Sequence, residues 1–287
     1  MTPWQNAWQQ ALYGPDGFYR RPEGPAGHFR TAAHAAPGEL AGALARLASR
    51  LGAGTIVDVG AGRGELLTAL VPSGVRLWGV DVVERPPGLP PAIGWAQGLD
   101  ALPDQAFDGS LVIAWELLDV IPLTVAELDE SCSPSIVLVE PRTGREQPGG
   151  APEPEELAWR ATWWPGGEEG DRVEVGLARD LFWRDLVHRA RTTGARAALC
   201  VDYAHTAGNR PAQGSLSGFR NGREVPPRPD GSMDVTAHVA IDAVAAATGL
   251  PHEITTQAEA LAALGVTDTE LLDPGGLGGF AWLLHTF

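Results

Sequence analysis

An apolar, strand-like run that ends in glycines at alternate positions constrains this chain more than any other feature. The run is Thr55-Ile-Val-Asp-Val59, and the glycines are Gly60, Gly62 and Gly64. A helical pattern, Glu65-Leu-Leu-Thr-Ala-Leu70, follows at once. Glycines at a strand-to-helix turn let the backbone approach a ligand with no Cβ atoms in the way. A dinucleotide fingerprint, Gly-x-Gly-x-x-Gly counted from Gly60, needs glycine at position 65, where Glu65 stands. That carboxylate would sit where a pyrophosphate docks on the helix N-terminus. Asp58, two residues before Gly60, suits a cationic or amine-bearing ligand and would repel a diphosphate. Asp58, Gly60, Gly62 and Gly64 therefore read as a nucleoside site for S-adenosylmethionine (SAM), with an ordinary glycine turn as the plain alternative.

The next strand carries the same message. Val75-Arg-Leu-Trp-Gly-Val-Asp-Val82 is apolar, and Asp81 stands near its end. An acidic residue about 20 residues past a glycine-rich turn accepts hydrogen bonds from ribose hydroxyls. This supports a nucleoside without choosing between NAD and SAM. The segment Gln97-Gly-Leu-Asp100 ends a third strand, where an adenine edge would lie. Gly98 and Leu99 are its backbone contact candidates, while Asp100 can cap the local turn. Trp115 follows a fourth strand and reads either as a ring on adenine or as packing between strand and helix.

Charge narrows the partners. The chain has 287 residues and a formal net charge of −15, from 36 acids against 21 bases. Every base is arginine. Such a surface repels phosphate backbones, which argues against nucleic acid as the main partner. No apolar run approaches the roughly 20 residues of a membrane span. The polar start, Met1-Thr-Pro-Trp-Gln-Asn6, has no secretory apolar region, which predicts a cytoplasmic protein. Cys132 and Cys200 lack metal-like spacing and are expected to be buried thiols. His28 and His34 have no third ligand at matching spacing, so no metal site is expected.

A β-α alternation runs through the middle of the chain. Strands are expected near 55–59, 76–80, 92–96, 110–114, 136–140 and 197–202, with helices near 64–70, 116–130 and 177–193. This predicts an α/β fold with a doubly wound, mostly parallel sheet and a ligand at the strands' carboxyl ends. Residues 1–52 read as an N-terminal cover and 53–287 as the core, with insertions around 141–175 and 203–239. Past 233 the pattern predicts a helix at 240–248, a strand near 252–256, a helix at 257–264 and a last strand from Phe280.

Several short motifs, in one order along nearly the whole chain, resemble the MidA-like family of class I SAM-dependent methyltransferases. This family includes mitochondrial complex I assembly methyltransferases. The motifs are Tyr13-Gly-x-x-Gly-Phe-Tyr19, Gly27-His-Phe-Arg-Thr-Ala-Ala-His34, Asp58 to Gly64, and Trp115-Glu-Leu-Leu-Asp-Val-Ile-Pro122. Cys200-Val-Asp-Tyr203 with His205, Gly214-Ser-Leu-Ser-Gly-Phe-Arg220 and Asp234-Val-Thr-Ala-His-Val239 follow. The chain departs from the family at several rim positions. His28 replaces Asp, Ala33 replaces Pro, His34 replaces Glu, Trp115 replaces Asn and Ala204 replaces Gly. The resemblance implies SAM as cofactor, with the loop holding Thr31 folded over its methionine end and Thr31 bonded to its carboxylate. It also implies a protein arginine side chain as acceptor. A small-molecule acceptor, or a SAM-binding assembly factor without catalysis, remains open, and the oligomeric state is left undefined.

Methyl transfer needs orientation more than a reactive side chain, since alignment alone supplies roughly 7–11 kcal/mol of a barrier in favourable cases. The absence of a catalytic triad is consistent with this. Glu116 and Asp119 are the catalytic candidates. On a helix starting there, a three-residue offset puts both carboxylates on one face, where they would hold a guanidinium bidentately. Their plain alternative is to complement the helix dipole. His205 and His238 read as hydrogen-bonded structural residues first and proton acceptors second.

Overall fold

The computed structural model describes residues 1–21 and 32–287. The chain divides into two compact units that interleave along the sequence. One comprises Met1–Phe29, Leu118–Arg184 and Ala204–Ala247; the other Arg30–Leu117, Asp185–Tyr203 and Thr248–Phe287. Residues 1–52 are therefore shared between the units, whereas 141–175 and 204–239 both lie in the first.

The second unit is built on a seven-stranded sheet. Its strands are β1 (Thr55–Val59), β2 (Arg76–Asp81), β3 (Ile93–Gln97), β4 (Ser110–Trp115), β5 (Ala197–Asp202), β6 (Glu253–Thr256) and β7 (Ala281–Thr286). They lie in the order β6-β7-β5-β4-β1-β2-β3. The five strands from β3 to β5 are parallel, while β7 runs antiparallel to both β5 and β6. Every residue of β1, β4 and β5 is buried. That is the reason these strands read as continuous apolar runs rather than alternating ones. Helices Pro37–Arg50, Glu65–Leu70 and Gln257–Ala263 bury Leu40, Leu44, Leu67, Leu70 and Leu261 in a core shared with Ile56, Ile113 and Leu199. Proline at the start of the first of these helices has no amide hydrogen to leave unpaired there.

The first unit is mainly antiparallel. Thr2–Pro3, Pro134–Val139, Thr124–Leu128 and Arg172–Val175 pair in that order, with Glu146–Pro148 also against Pro134–Val139. A smaller sheet joins Arg223–Val225, Ser217–Arg220 and Asp234–Thr236. The amphipathic helix Trp4–Tyr13 places Trp4, Trp8 and Leu12 against Val125, Val137, Val139 and Val235.

Three sequence expectations are corrected here. The helix expected over 116–130 is instead a single 3₁₀ turn, Leu118–Val120, followed by strand Thr124–Leu128. Strand neighbours on both sides offer Thr124–Leu128 ladder partners, and that pairing overrides a short, ambiguous apolar pattern. The strand expected near 136–140 forms, but in the antiparallel sheet of the first unit rather than in the parallel one. Cys200 is buried as expected, whereas Cys132 is exposed in a turn with φ of 58°. Among the described residues no helix is long and apolar enough to cross a membrane, and no cluster of metal-binding side chains occurs.

Candidate functional site

The chain passes from β1 outward to β2 and β3, then returns to place β4 on the other side of β1. The strand order therefore reverses between β1 and β4. In open α/β sheets, ligands bind in the crevice that this reversal opens at the carboxyl ends of the strands. Asp58, Gly60, Gly62, Gly64, Asp81, Gly98, Leu99, Trp115 and Glu116 all lie on or just beyond the ends of β1 to β4.

The three glycines have φ of 81°, 57° and 79°, a region closed to most side chains. They serve different ends. A Cβ on Gly60 would stand 2.7 Å from Leu117 Cδ1, and one on Gly64 would strike Leu89 Cδ1, so both are demanded by packing. A Cβ on Gly62 would meet only Glu65 Oε2, at 3.5 Å, and one on Gly98 would meet nothing within 4 Å. Gly62 and Gly98 are the positions whose bare backbone faces open space.

Asp81 is the hub of the site. Its carboxylate accepts Gly62 N–H at 2.8 Å and Val83 N–H at 3.2 Å. Its backbone carbonyl accepts Gly98 N–H at 2.8 Å. One residue thus ties the turn after β1 to the loop after β3. Burial pushes its carboxyl above the ordinary value, and the amides of Gly62, Val83 and Val82 partly offset that. Replacing Asp81 with alanine is expected to weaken SAM binding by roughly 1–3 kcal/mol, the cost of losing a charged acceptor. Calorimetry with SAM measures this, and an unchanged affinity would mean that Asp81 serves only the loops.

Asp58 is buried in the middle of the sheet. Its carboxyl is pushed up to about 7, first by burial and then by the charges of Asp81 and Glu65. A carboxylate so placed is short of positive charge, which suits the sulfonium and ammonium of SAM. The open backbone at Gly62 and Gly98 and this uncompensated acid fit the cofactor.

The remaining sequence candidates are placed as follows. Leu99 opens a 3₁₀ turn and its carbonyl accepts Arg189 Nη1–H at 2.7 Å. Trp115 ends β4 and packs edge-on to Trp282, with ring centroids 5.7 Å apart. Thr31 lies outside the described residues, as do His28 and the other residues of that signature before Ala32. Glu116 has φ of 52°, an uncommon conformation for a residue other than glycine. Its amide donates to Val201 O, and its Oε1 accepts Ala32 N–H at 2.9 Å. Glu116 thereby anchors the short helix Ala32–Ala35, whose His34 Nε2 lies 3.8 Å from Glu65 Oε1. Glu116→Ala removes the acceptor of a buried-end amide and is expected to cost about 1–3 kcal/mol, whereas Glu116→Gln keeps an oxygen there. Comparison of their urea midpoints tests this; equal losses would show that the charge, not the bond, matters.

Asp119 belongs to the first unit, not to a helical face shared with Glu116. It is buried, and burial pushes its carboxyl up to about 6 against the pull of Arg179 and the Val120 amide. Close by in charge terms, Tyr19 Oη–H lies 3.0 Å from both oxygens of buried Asp234. Arg179 organises this region. It is buried, lies over the Trp8 ring, and donates to the carbonyls of Asp119, Ile121, Ala237 and His238 at 2.6 to 3.1 Å. Its role was hidden in the sequence because its acceptors lie 58 to 60 residues away. His205 is also buried; burial and the adjacent Arg210 guanidinium push its pKa down to about 3. It is therefore neutral at physiological pH, with Nδ1 accepting from Arg210, which makes it a weak base.

A parallel sheet reversed at β1 and β4, with a glycine turn and an acidic strand end at the reversal, is an α/β methyltransferase-like fold. Residues 82–258 match the family model described as "Putative S-adenosyl-L-methionine-dependent methyltransferase". The chain belongs to this family of SAM-dependent methyltransferases, in agreement with its MidA-like motifs. The matched span starts just after Asp81, so the glycine turn is a separate line of evidence. Among solved structures, the chain resembles a Burkholderia thailandensis superfamily member, a candidate methyl transferase bound to S-adenosyl-homocysteine. The TM-score is 0.80 at 24% identity, over 99% of this chain and 87% of that one. A native structure of an uncharacterized protein of the same superfamily and organism gives a TM-score of 0.79 at 23% identity, over 99% and 87%. These likenesses bear on the fold. No curated protein matches the chain.

Proposed function

We propose that this methyltransferase transfers the methyl group of SAM to a protein arginine side chain, at the crevice between β1 and β4. The observation that carries the site is the glycine turn with its open backbone at Gly62, tied to Asp81 and backed by buried Asp58. In this reading the sheet is doubly wound. The adenosine lies along the ends of β2 and β3, with Asp81 at the ribose and Gly98 and Leu99 at the adenine edge. The methionine end lies against Gly60 to Gly64, with Thr31 at its carboxylate and Trp115 bounding the pocket. SAM, when bound, supplies an electrophilic methyl on a sulfonium.

The chain's own residues bind, orient and exclude water. Asp58 offsets the ligand's positive charge, and the turn holds the sulfonium at the reversal of the strand order. Glu116, at the end of β4, is the carboxylate beside the incoming acceptor and directs its nitrogen at the methyl carbon. The proton that the acceptor nitrogen loses on methylation would pass to Glu116 or to solvent.

The fit of a guanidinium to a carboxylate such as Glu116 and the acidic net charge support an arginine acceptor. The test has two parts. Calorimetry with SAM, S-adenosyl-homocysteine and NAD should show binding of the first two and not the third. Methyl-labelled SAM added with cell extract should leave label in the protein fraction as methylated arginine. Label in small metabolites would point to a small-molecule acceptor; binding without any transfer would make the protein a cofactor-binding assembly factor.

A further inference from the structure

The carboxyl edge of the seven-stranded sheet carries an aromatic pair outside the cofactor candidates named above. Tyr203 directly follows β5, and Phe280 directly precedes β7. Their rings pack with centroids 4.0 Å apart at 48°. Phe280 is 2% exposed, but Tyr203 is 40% exposed, the most solvent-open ring among the large apolar side chains of the chain's described residues. A buried phenylalanine thus props an aromatic face out into solvent.

Register places this face relative to the site. Val201 of β5 pairs with Trp115 of β4 and with Trp282 of β7. Tyr203 follows β5 two residues past this pair, at the same carboxyl edge as Leu117, the side chain packed on Gly60. Across that edge the strands run β1, β4, β5, β7. Neighbouring strands are about 4.8 Å apart, so the end of β5 that carries Tyr203 lies two strands, roughly 10 Å, from β1. The other flank of the turn is spoken for: Asp81 on β2 and Gly98 after β3 suit the nucleoside. An acceptor must reach the methyl from the β4–β5 side, where Tyr203 stands.

We infer that the Tyr203 ring, propped by Phe280, is the wall that positions a planar, nitrogen-bearing acceptor group beside the transferred methyl. This rests on the placement of SAM proposed above. The ring suits that acceptor class, because an aromatic face attracts planar cations and stacks on flat groups. Tyr203 is a specificity-determining residue: it touches the acceptor and not the cofactor.

Tyr203→Leu and Tyr203→Phe in the full-length chain test this with two probes, S-adenosyl-homocysteine in calorimetry and methyl-labelled SAM with desalted cell extract. The leucine variant is expected to keep its S-adenosyl-homocysteine affinity within twofold, while labelling falls about tenfold through a higher apparent KM for extract. The phenylalanine variant is expected to label within twofold of the parent. Unchanged labelling by the leucine variant overturns the inference. So does a parallel loss of S-adenosyl-homocysteine affinity, which would place Tyr203 in cofactor binding or folding. Equal losses in both variants would assign the effect to the hydroxyl and also overturn it. Failure of the parent protein to bind or to label is a separate result, which sinks the proposed function and this inference with it.

Discussion

Replacing Arg179 with methionine is expected to destabilise the protein by roughly 3–5 kcal/mol, the range for breaking a buried charged network. The carbonyls of Asp119, Ile121, Ala237 and His238 would lose the guanidinium in one step, although that of Asp119 keeps the Ala237 N–H at 3.1 Å. A buried acceptor without a partner carries its full desolvation penalty, about 1–3 kcal/mol for each group that water cannot reach. Methionine fills part of the volume and preserves packing near Trp8, so a large loss would report the hydrogen bonds rather than a cavity. Lysine keeps the charge but not the planar fork, and is expected to recover only part of the stability. Urea unfolding reads both variants. A methionine variant within about 1 kcal/mol of the parent would show that water takes over these carbonyls, by the same range of costs. Loss of the cation should also raise the Asp119 carboxyl further, since Arg179 is the charge that holds it down.

SAM affinity is expected to rise with pH between about 5.5 and 8, and Asp58 is the reason. Its carboxyl lies at about 7 in the ligand-free protein, well above the ordinary carboxylate value. The protonated acid is therefore the form that folding favours. Its stabilising effect is complete below the unfolded-state pKa and is lost as pH rises through about 7. A cation placed beside Asp58 reverses this preference by drawing the pKa down. Below about 7, binding must then expel a proton, and affinity weakens as pH falls. The same linkage makes the ligand-free protein less stable, and the cofactor's protection larger, at the alkaline end. Asp58→Asn should bind SAM more weakly at pH 8 and show a much flatter pH profile. Titration of both proteins at the two pH values decides the matter. A flat profile in the parent would remove Asp58 from contact with the ligand's charge.

Much of the site was legible because its signals are local. A strand that is buried on both faces reads as a continuous apolar run, as Thr55–Val59 does. A turn that needs positive φ reads as glycine, as at 60, 62 and 64. The acidic end of β2 follows at a spacing set by one strand-helix-strand repeat, and collinear motifs carried the family. The pairing of Glu116 with Asp119 rested on a helix over 116–130, and the structure has a 3₁₀ turn and a strand there.

What the sequence determined, then, is the sheet around β1 and the acidic, glycine-rich turn at its end, because both follow from the conformational needs of a few adjacent residues. What only the tertiary structure decided is which distant groups satisfy buried polar atoms. Thr124–Leu128 became a strand because Pro134–Val139 and Arg172–Val175 offered it ladders. Glu116 took a left-handed backbone with its carboxylate on Ala32, and Arg179 found four carbonyls far along the chain. Such partners are chosen by hydrogen-bond satisfaction in three dimensions, and no local pattern of residues encodes them.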